Sequence, residues 1–371
     1  MAKVKLDLFK YFFQSERSGG FVLIGCTAIS LLIANSPLGE GYHHFWGRYE
    51  HWVNDGLMAI FFLLVGLEIE RELYVGELSS VKNALLPIIA AAGGMLIPAL
   101  IHFSFNAGTP AQNGFGIPMA TDIAFALGIL SLAGNRVPLS LKIFLTALAI
   151  IDDLGAIAVI AIFYTKGFLV GYFLGALAIF LVLFVAGKKG IYSLPFYLAG
   201  GAVMWYLMLK SGVHATIAGV LLAFAIPFHK EDDKNPSYKL QHILHYPVAF
   251  IILPIFALAN TAIIFPENIK GSLATNNSIG IMLGLIVGKF AGIFVVVVAA
   301  IKLKIATLSQ ELNRRHILGV SLLGGIGFTM SIFITNLAFD DPAIITASKM
   351  SILFASLIAA LAGWIILKRT K

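Results

Sequence analysis

Charge is what this chain lacks most. Lys, Arg, Asp and Glu make up 12% of its 371 residues, against about 25% in a soluble globular domain, and that shortage excludes an ordinary water-soluble fold. Cysteine is nearly missing too. Cys26 stands alone, so no intrachain disulfide can form, and no Cys/His spacing of a zinc site is present. No polar segment is long enough for a separate soluble domain. The first residues, "MAKVKLDLFKYFFQSERSGG", mix acids and bases and lack a small-residue cleavage pattern after a short apolar core, so they do not read as a secretory signal. The net charge of +7 points to basic cytoplasmic loops rather than to nucleic acid, because membrane proteins concentrate Lys and Arg on that side.

What is present is apolar length. The chain is 59% hydrophobic, and runs of about 20 apolar residues, enough to cross a bilayer, recur along it. Twelve spans are expected, near 19–35, 52–74, 85–105, 113–132, 140–164, 169–187, 193–209, 212–228, 240–264, 279–301, 316–337 and 344–367. An even count puts both termini on one side. With that side inside, cytoplasmic segments hold roughly 20 Lys and Arg against roughly 4 outside, as the positive-inside rule requires. The inside clusters include Lys188 and Lys189, then Lys230, Lys234 and Lys239, then Lys302, Lys304, Arg314 and Arg315, and finally Lys368, Arg369 and Lys371. The loop "HKEDDKNPSYK" (229–239) is the most polar and reads as cytoplasmic. Residues 1–18 read as a short amphipathic helix at the interface, with Leu6, Phe9, Phe12 and Phe13 on its apolar side.

Two spans are odd inside. The fourth holds "GIPMATDIAFALG", with Pro118, Thr121 and Asp122; the eleventh holds "LLGGIGFTMSIF", with Gly324, Gly325, Gly327, Thr329 and Ser331. Proline and glycine loosen a helix, and Thr and Asp can satisfy the freed backbone groups. Interrupted segments paired across two halves of a transporter point to a midplane binding site. Each alone would be an ordinary kink or a close packing of small residues.

Most charged residues fall in loops or at span ends. The exceptions are Asp55, Asp122, the adjacent Asp152 and Asp153 in "ALAIIDDLGAIAVIAIF", and Lys289 in "GLIVGKFAGIFVV". A charge at the bilayer centre costs at least ~2.5–3.5 kcal/mol, so each implies a partner or a cavity. Adjacent helical residues point about 100° apart, so Asp152 and Asp153 can serve different partners within one neighbourhood. Burial and mutual repulsion disfavour two negative charges there, and the two should titrate as a coupled pair. Carboxylate oxygens suit Na+ or Li+, with Thr hydroxyls and unwound carbonyls completing the shell. Such a site exchanges protons for one hard cation. Lys289 reads as the only base deep in a span, with Asp122, Asp152 or Asp153 as its counter-charge. His242 and His245 lie at i and i+3 on one helical face of "LQHILHYPVAF", near Glu68, Glu70, Arg71 and Glu72. Those groups read first as a solvated helix end, and His214 is ambiguous in the same way. His43, His44, His51, His102, His229 and His316 read as loop or interface residues. An intramembrane aspartyl protease would need facing carboxylates from different helices, and no GxGD-type segment surrounds any of these acids.

With these segments in view, the chain resembles the NhaA family of bacterial Na+/H+ antiporters over essentially its whole length. The likeness rests on "NDGLMAIFFLLVGLEIERE", "ATDIAFALG", "RVPLSLKIFLTALAIIDDLGAI", "KSGVHATIAGV", "GLIVGKFAGI" and "GGIGFTMSIFI", in the family's order. It implies an all-α polytopic membrane protein of about twelve transmembrane helices. Inverted-topology repeats (spans three to five and ten to twelve) would carry two interrupted helices, spans four and eleven, crossing near the bilayer midplane. One transmembrane domain, 1–371, would comprise the interfacial segment 1–18, the spans 19–367 and a cytoplasmic tail, 368–371. The implied activity is not enzymatic. It is secondary antiport at the midplane by alternating access, exporting Na+ or Li+ for H+, electrogenic and pH-dependent, with no cofactor and no ATP. The partners would be those ions and the lipid bilayer, with a homodimer left open and no nucleic acid. The location would be the bacterial inner membrane, with both termini cytoplasmic. By the same resemblance Asp152 and Asp153 form the cation and proton site. Thr121 and Asp122 sit at the helix crossing, and Lys289 pairs with Asp152. Glu68, Arg71, Glu72, His242 and His245 match a pH-activation cluster. Asp55 matches an acid at the other end of the second span. Gln241 departs from the pattern, which has a glutamate there.

Overall fold

The computed structural model describes residues 2–134, 137–165, 167–228 and 235–370, with side chains from Ser18 onward. Among these residues the chain is helical, with no strand. Its helices are α1 (Ala2–Ala34), α2 (Gly39–Tyr74), α3 (Val81–Asn106), α4 (Ile123–Leu132), α5 (Leu139–Phe163), α6 (Val170–Lys188) and α7 (Leu194–Ser211), followed by α8 (Thr216–Ala225), α9 (Pro236–Asn260), α10 (Asn276–Lys302), α11 (Arg314–Leu323), α12 (Phe328–Ala338) and α13 (Pro342–Arg369). Seven of them, α2, α3, α5, α6, α9, α10 and α13, are long and apolar enough to cross a membrane. The count becomes nine when two bent pairs are each taken as one span: a tight helix Gln112–Met119 with α4, and α11 with α12. The other segments of the twelve expected spans fall on α1, α7 and α8, which are shorter or less apolar.

Residues 2–18 belong to the same helix as the first expected span. They run without a break into the first apolar segment. The side chains of Leu6, Phe9, Phe12 and Phe13 lie outside the described residues, as do His229, Lys230, Lys234 and the rest of 229–234, and Lys371.

Apolar side chains face both ways, as a bilayer demands. Leu32, Leu96, Leu100, Ile162, Leu174, Val182 and Leu357 are exposed on the outside of the bundle. A large interior cluster joins α2, the broken pairs, α5, α9, α10 and α13. A smaller one, around Tyr197, Met204 and Met208, packs α6, α7 and α8 against Leu63 and Leu67 of α2. The two long helices α3 and α10 touch backbone to backbone. A Cβ on Gly93 would strike the Gly292 carbonyl, and one on Gly292 would strike that of Gly93, so only glycine allows this approach.

Three long helices contain a wide turn: Trp52–Leu57 in α2, Val248–Ile252 in α9 and Gly284–Gly288 in α10. One extra residue in a turn rotates everything beyond it by about 100°, and such turns gather at functional sites. Lys289 follows one of them directly, and Asn54 and Asp55 lie inside another.

Candidate cation and proton site at the helix crossing

Both bent pairs break in mid-course, with bends of 40° and 41°. The first break is extended chain through Ala120, Thr121 and Asp122, and the second runs from Gly324 to Gly327. The breaks cross: the Asp122 amide donates to the Ile326 carbonyl at 2.7 Å. A Cβ on Gly325 would strike the Leu285 carbonyl, so the second strand of the crossing must be narrow there.

Each break leaves one helix C-terminus and one helix N-terminus in the interior, with the partial charges of their dipoles. Asp122 answers both positive ends. Its Oδ1 caps α4 by accepting from the Phe125 amide at 2.9 Å. Its Oδ2 accepts from the amide and hydroxyl of Thr329, at the start of α12, at 3.0 and 2.6 Å. The exposed carbonyls are answered in return. Ser331 Oγ donates to the Ile117 carbonyl at 2.7 Å, and Thr121 Oγ1 lies 2.9 Å from the Gly324 carbonyl. Each broken segment thus supplies the side chain that satisfies the other.

Asp152 and Asp153 project from α5 beside this crossing and are 0% and 2% exposed. Asp152 Oδ2 accepts from Thr121 Oγ1 at 2.7 Å and forms an ion pair with Lys289 Nζ, itself fully buried. Asp153 differs. Among the described residues no hydrogen bond reaches its carboxyl, and its Oδ1, like Asp152 Oδ1, is buried without a partner. Thr146, two turns earlier on the same face of α5, also has a buried hydroxyl with no partner. Among the described residues no three His, Cys, Asp or Glu side chains converge as a metal site. A cation at Asp153 would draw further ligands from Asp152, hydroxyls, carbonyls or water.

The helix end beyond this site is more buried than its sequence suggests. Glu68, Glu70 and Glu72 are all buried. Glu68 lies beside the Gln241 side chain and 4.0 Å from His245 Nδ1. Glu70 accepts from Ser237 Oγ at 2.9 Å, and Arg71 pairs with Glu72 at 3.2 Å. The expected histidine pair splits. His245 is buried against Glu68, whereas His242 is exposed, because three residues along a helix still turn the side chain by about 60°.

Other expectations change as well. Lys289 is not the only base deep in a span, since Lys349 in α13 is 8% exposed. It is not among the intramembrane exceptions that the sequence singles out, yet its side chain turns into the bundle. His102 and His316 are buried, not interfacial. His102 Nε2 lies 3.0 Å from Asn277 Oδ1, and His316 closes a reciprocal cap with Asn313. Asp55 pairs with His51 at 2.7 Å and His214 Nε2 lies 2.8 Å from the Tyr164 carbonyl, both away from the crossing.

Comparison with known proteins finds relatives over nearly the whole chain. The family model for Na+/H+ antiporter 1 matches residues 10–367. A Na(+)/H(+) antiporter NhaA from Cytophaga hutchinsonii is 60% identical over 370 residues, covering 98% of this chain and 96% of that protein. One from Flavobacterium psychrophilum is 59% identical over 367 residues, covering 97% and 96%. Among solved structures, the sodium proton antiporter MjNhaP1 from Methanocaldococcus jannaschii aligns over 98% of this chain and 99% of that one, with a TM-score of 0.56 at 13% identity. That likeness speaks for the fold alone.

Proposed function

The chain belongs to the Na+/H+ antiporter 1 family and is a multi-pass membrane protein that exchanges sodium ions for protons; from that premise we propose that Asp153 is the carboxylate on which the exchange turns. The observation that carries this reading is the unequal commitment of three buried acids. Asp122 is saturated by three donors at two helix ends. Asp152 is held by Lys289 and Thr121. Asp153 alone has no protein donor. A buried carboxylate without a donor or counter-ion is costly, so Asp153 must hold a proton or a cation, and these compete for the same oxygens.

Lys289 and Asp152 set the stoichiometry. With the site proton-loaded, Asp153 is neutral and the Lys289 ammonium balances the Asp152 carboxylate. When Na+ enters between Asp153 and Asp152, the first acid gives up its proton. The ammonium, displaced from its partner, gives up another. Two protons then leave for each Na+ bound, so transport moves net charge and responds to membrane potential. In a respiring cell, protons enter and sodium leaves by alternating access at the crossing. Lithium, another hard monovalent cation, fits the same oxygens. The protein works in the bacterial inner membrane, and the charge asymmetry of its loops supports an orientation with both termini inside. Glu68, Arg71, Glu72, Gln241 and His245 form a cluster through which pH adjusts the rate.

Asp153→Asn tests the reading. In everted vesicles it abolishes Na+-dependent dissipation of a pH gradient, and normal dissipation in that variant would overturn the assignment.

A further inference from the structure

Among the described residues, Lys349 is the one buried lysine that the exchange site does not use. Its Nζ donates to Asn260 Oδ1 at 3.3 Å, and the same oxygen accepts from Asn336 Nδ2 at 2.6 Å. Asn260 Nδ2 donates to Asn54 Oδ1 at 2.9 Å and to the Phe256 carbonyl at 3.1 Å. Asn336 Oδ1 is buried with no partner. Among the described residues no carboxylate lies within ion-pair distance of Lys349. Its ammonium is held by one neutral amide, Asn260 of α9, which in turn binds Asn54 of α2 and Asn336 of α12.

This cluster sits at the opposite end of the bundle from Glu68 and His245. On α2, Asn54 precedes Glu68 by fourteen residues, about 21 Å of helix. On α9, Asn260 follows His245 by fifteen. Between the two ends lies a layer of phenylalanines. Phe62 of α2, Phe256 of α9 and Phe333 of α12 are each at most 1% exposed. Phe333 contacts the other two, with ring centroids 5.4 and 6.5 Å apart. All three helices therefore read in one order: amide, phenylalanine, and then Glu68, His245 or Thr329. On α12 Phe333 is one turn from Thr329, which holds Asp122, and Asn336 is one turn beyond.

Along α2, α9 and α12 the phenylalanine layer and then this amide cluster lie between the carboxylates and the far end. The amide oxygens are hard ligands that suit a sodium ion, and here an ammonium is bound to them. We propose that Lys349 is a positioning residue for sodium transport. Its ammonium ties the far ends of α2, α9 and α12 to α13, keeps the phenylalanine layer closed, and releases the amides when the site opens to that side. The tether suits a contact that must break in every cycle, because its hydrogen-bond partner is uncharged and the charge of Glu50 acts on Lys349 only from beyond ion-pair distance. The proposal rests on the carboxylate reading above.

Weakening the tether raises the fraction of molecules open to the far side. Apparent affinity scales with the competent fraction, so sodium KM falls on the far face and rises on the near one. A merely structural defect lowers the rate on both faces and leaves the ratio alone. The experiment titrates Na+ in right-side-out and everted vesicles from the same cells. Lys349→Met lowers the far-to-near KM ratio by about fivefold or more, since both fractions shift. Lys349→Arg, which keeps the cation, restores the ratio toward that of the unaltered protein. Asn260→Asp gives the ammonium a fixed anion and raises the ratio. A ratio unmoved in Lys349→Met, or two KM values moving together, overturns the proposal. If Lys349→Met fails to reach the membrane, Asn260→Asp decides alone, and an unmoved ratio there is equally fatal. Failure of the carboxylate reading looks different: Asp153→Asn would then exchange sodium normally, whatever the ratio does.

Discussion

Two lysines are buried in this bundle, and they are held in opposite ways. Lys289 lies against the Asp152 carboxylate, which also takes the Thr121 hydroxyl. Lys349 lies against Asn260, whose amide is shared with Asn336 and Asn54. An ammonium paired with an acid belongs to an exchanging unit, because the acid can trade it for a proton or a sodium ion. An ammonium among amides has no such trade. On the proposed reading the chain separates chemistry from closure: carboxylates at the crossing hold the ions, and amides beyond a phenylalanine layer hold the helices.

The comparison breaks most visibly through stability. Lys289→Ala strands a buried carboxylate, and breaking a buried pair from one side costs ~3–5 kcal/mol unless Asp152 takes up a proton. Thermal unfolding in detergent shows a large drop for Lys289→Ala, and Asp152→Asn with Lys289→Gln together recovers part of it. No coupling in that double-mutant cycle would mean the two are not partners. Next in size is Thr329→Val, which removes a hydroxyl donor from Asp122 while leaving the amide. A hydrogen bond to a charged group contributes about 1.5–3 kcal/mol, and unfolding should report a loss of that order with exchange slowed. Lys349→Gln sharpens the contrast, because its lost partners are neutral. About 1 kcal/mol is expected, and a loss as large as that of Lys289→Ala would erase the distinction between the two lysines.

Much of the crossing was legible in the sequence because charge inside an apolar run is conspicuous. Asp122, Asp152, Asp153 and Lys289 each interrupt such a run, and proline and glycines mark the two breaks. The rest was hidden for physical reasons. Asn54, Asn260 and Asn336 carry no charge and look like ordinary polar residues of span ends. Lys349 stands close enough to a span end to suggest an outward side chain, and His102 does the same. The wide turns in α2, α9 and α10 shift the facing of every residue beyond them, which periodicity cannot foretell. Their spacing leaves His242 and His245 about 60° apart, and that it is His245 that turns inward depends on what packs against α9.

The smallest effect belongs to the end opposite Lys349. Gln241→Glu adds an anion beside Glu68 and His245 and favours the protonated imidazole. If imidazole deprotonation releases the active state, the activation midpoint moves to higher pH, by less than about one pH unit for a single contact of ~1 kcal/mol. Activity against pH at low and saturating Na+ checks it. A midpoint unmoved by Gln241→Glu but sliding with Na+ concentration would leave regulation to the carboxylates at the crossing.

The most direct measurement counts protons. Purified protein in weak buffer, at a pH where the site is proton-loaded, is titrated with Na+ while the released protons are recorded. Two protons per Na+ bound, and no Na+-driven release from Asp153→Asn, is the predicted result. One proton per Na+, or undiminished release from Asp153→Asn, would contradict a site in which Asp153 and the Lys289–Asp152 pair each surrender a proton to sodium.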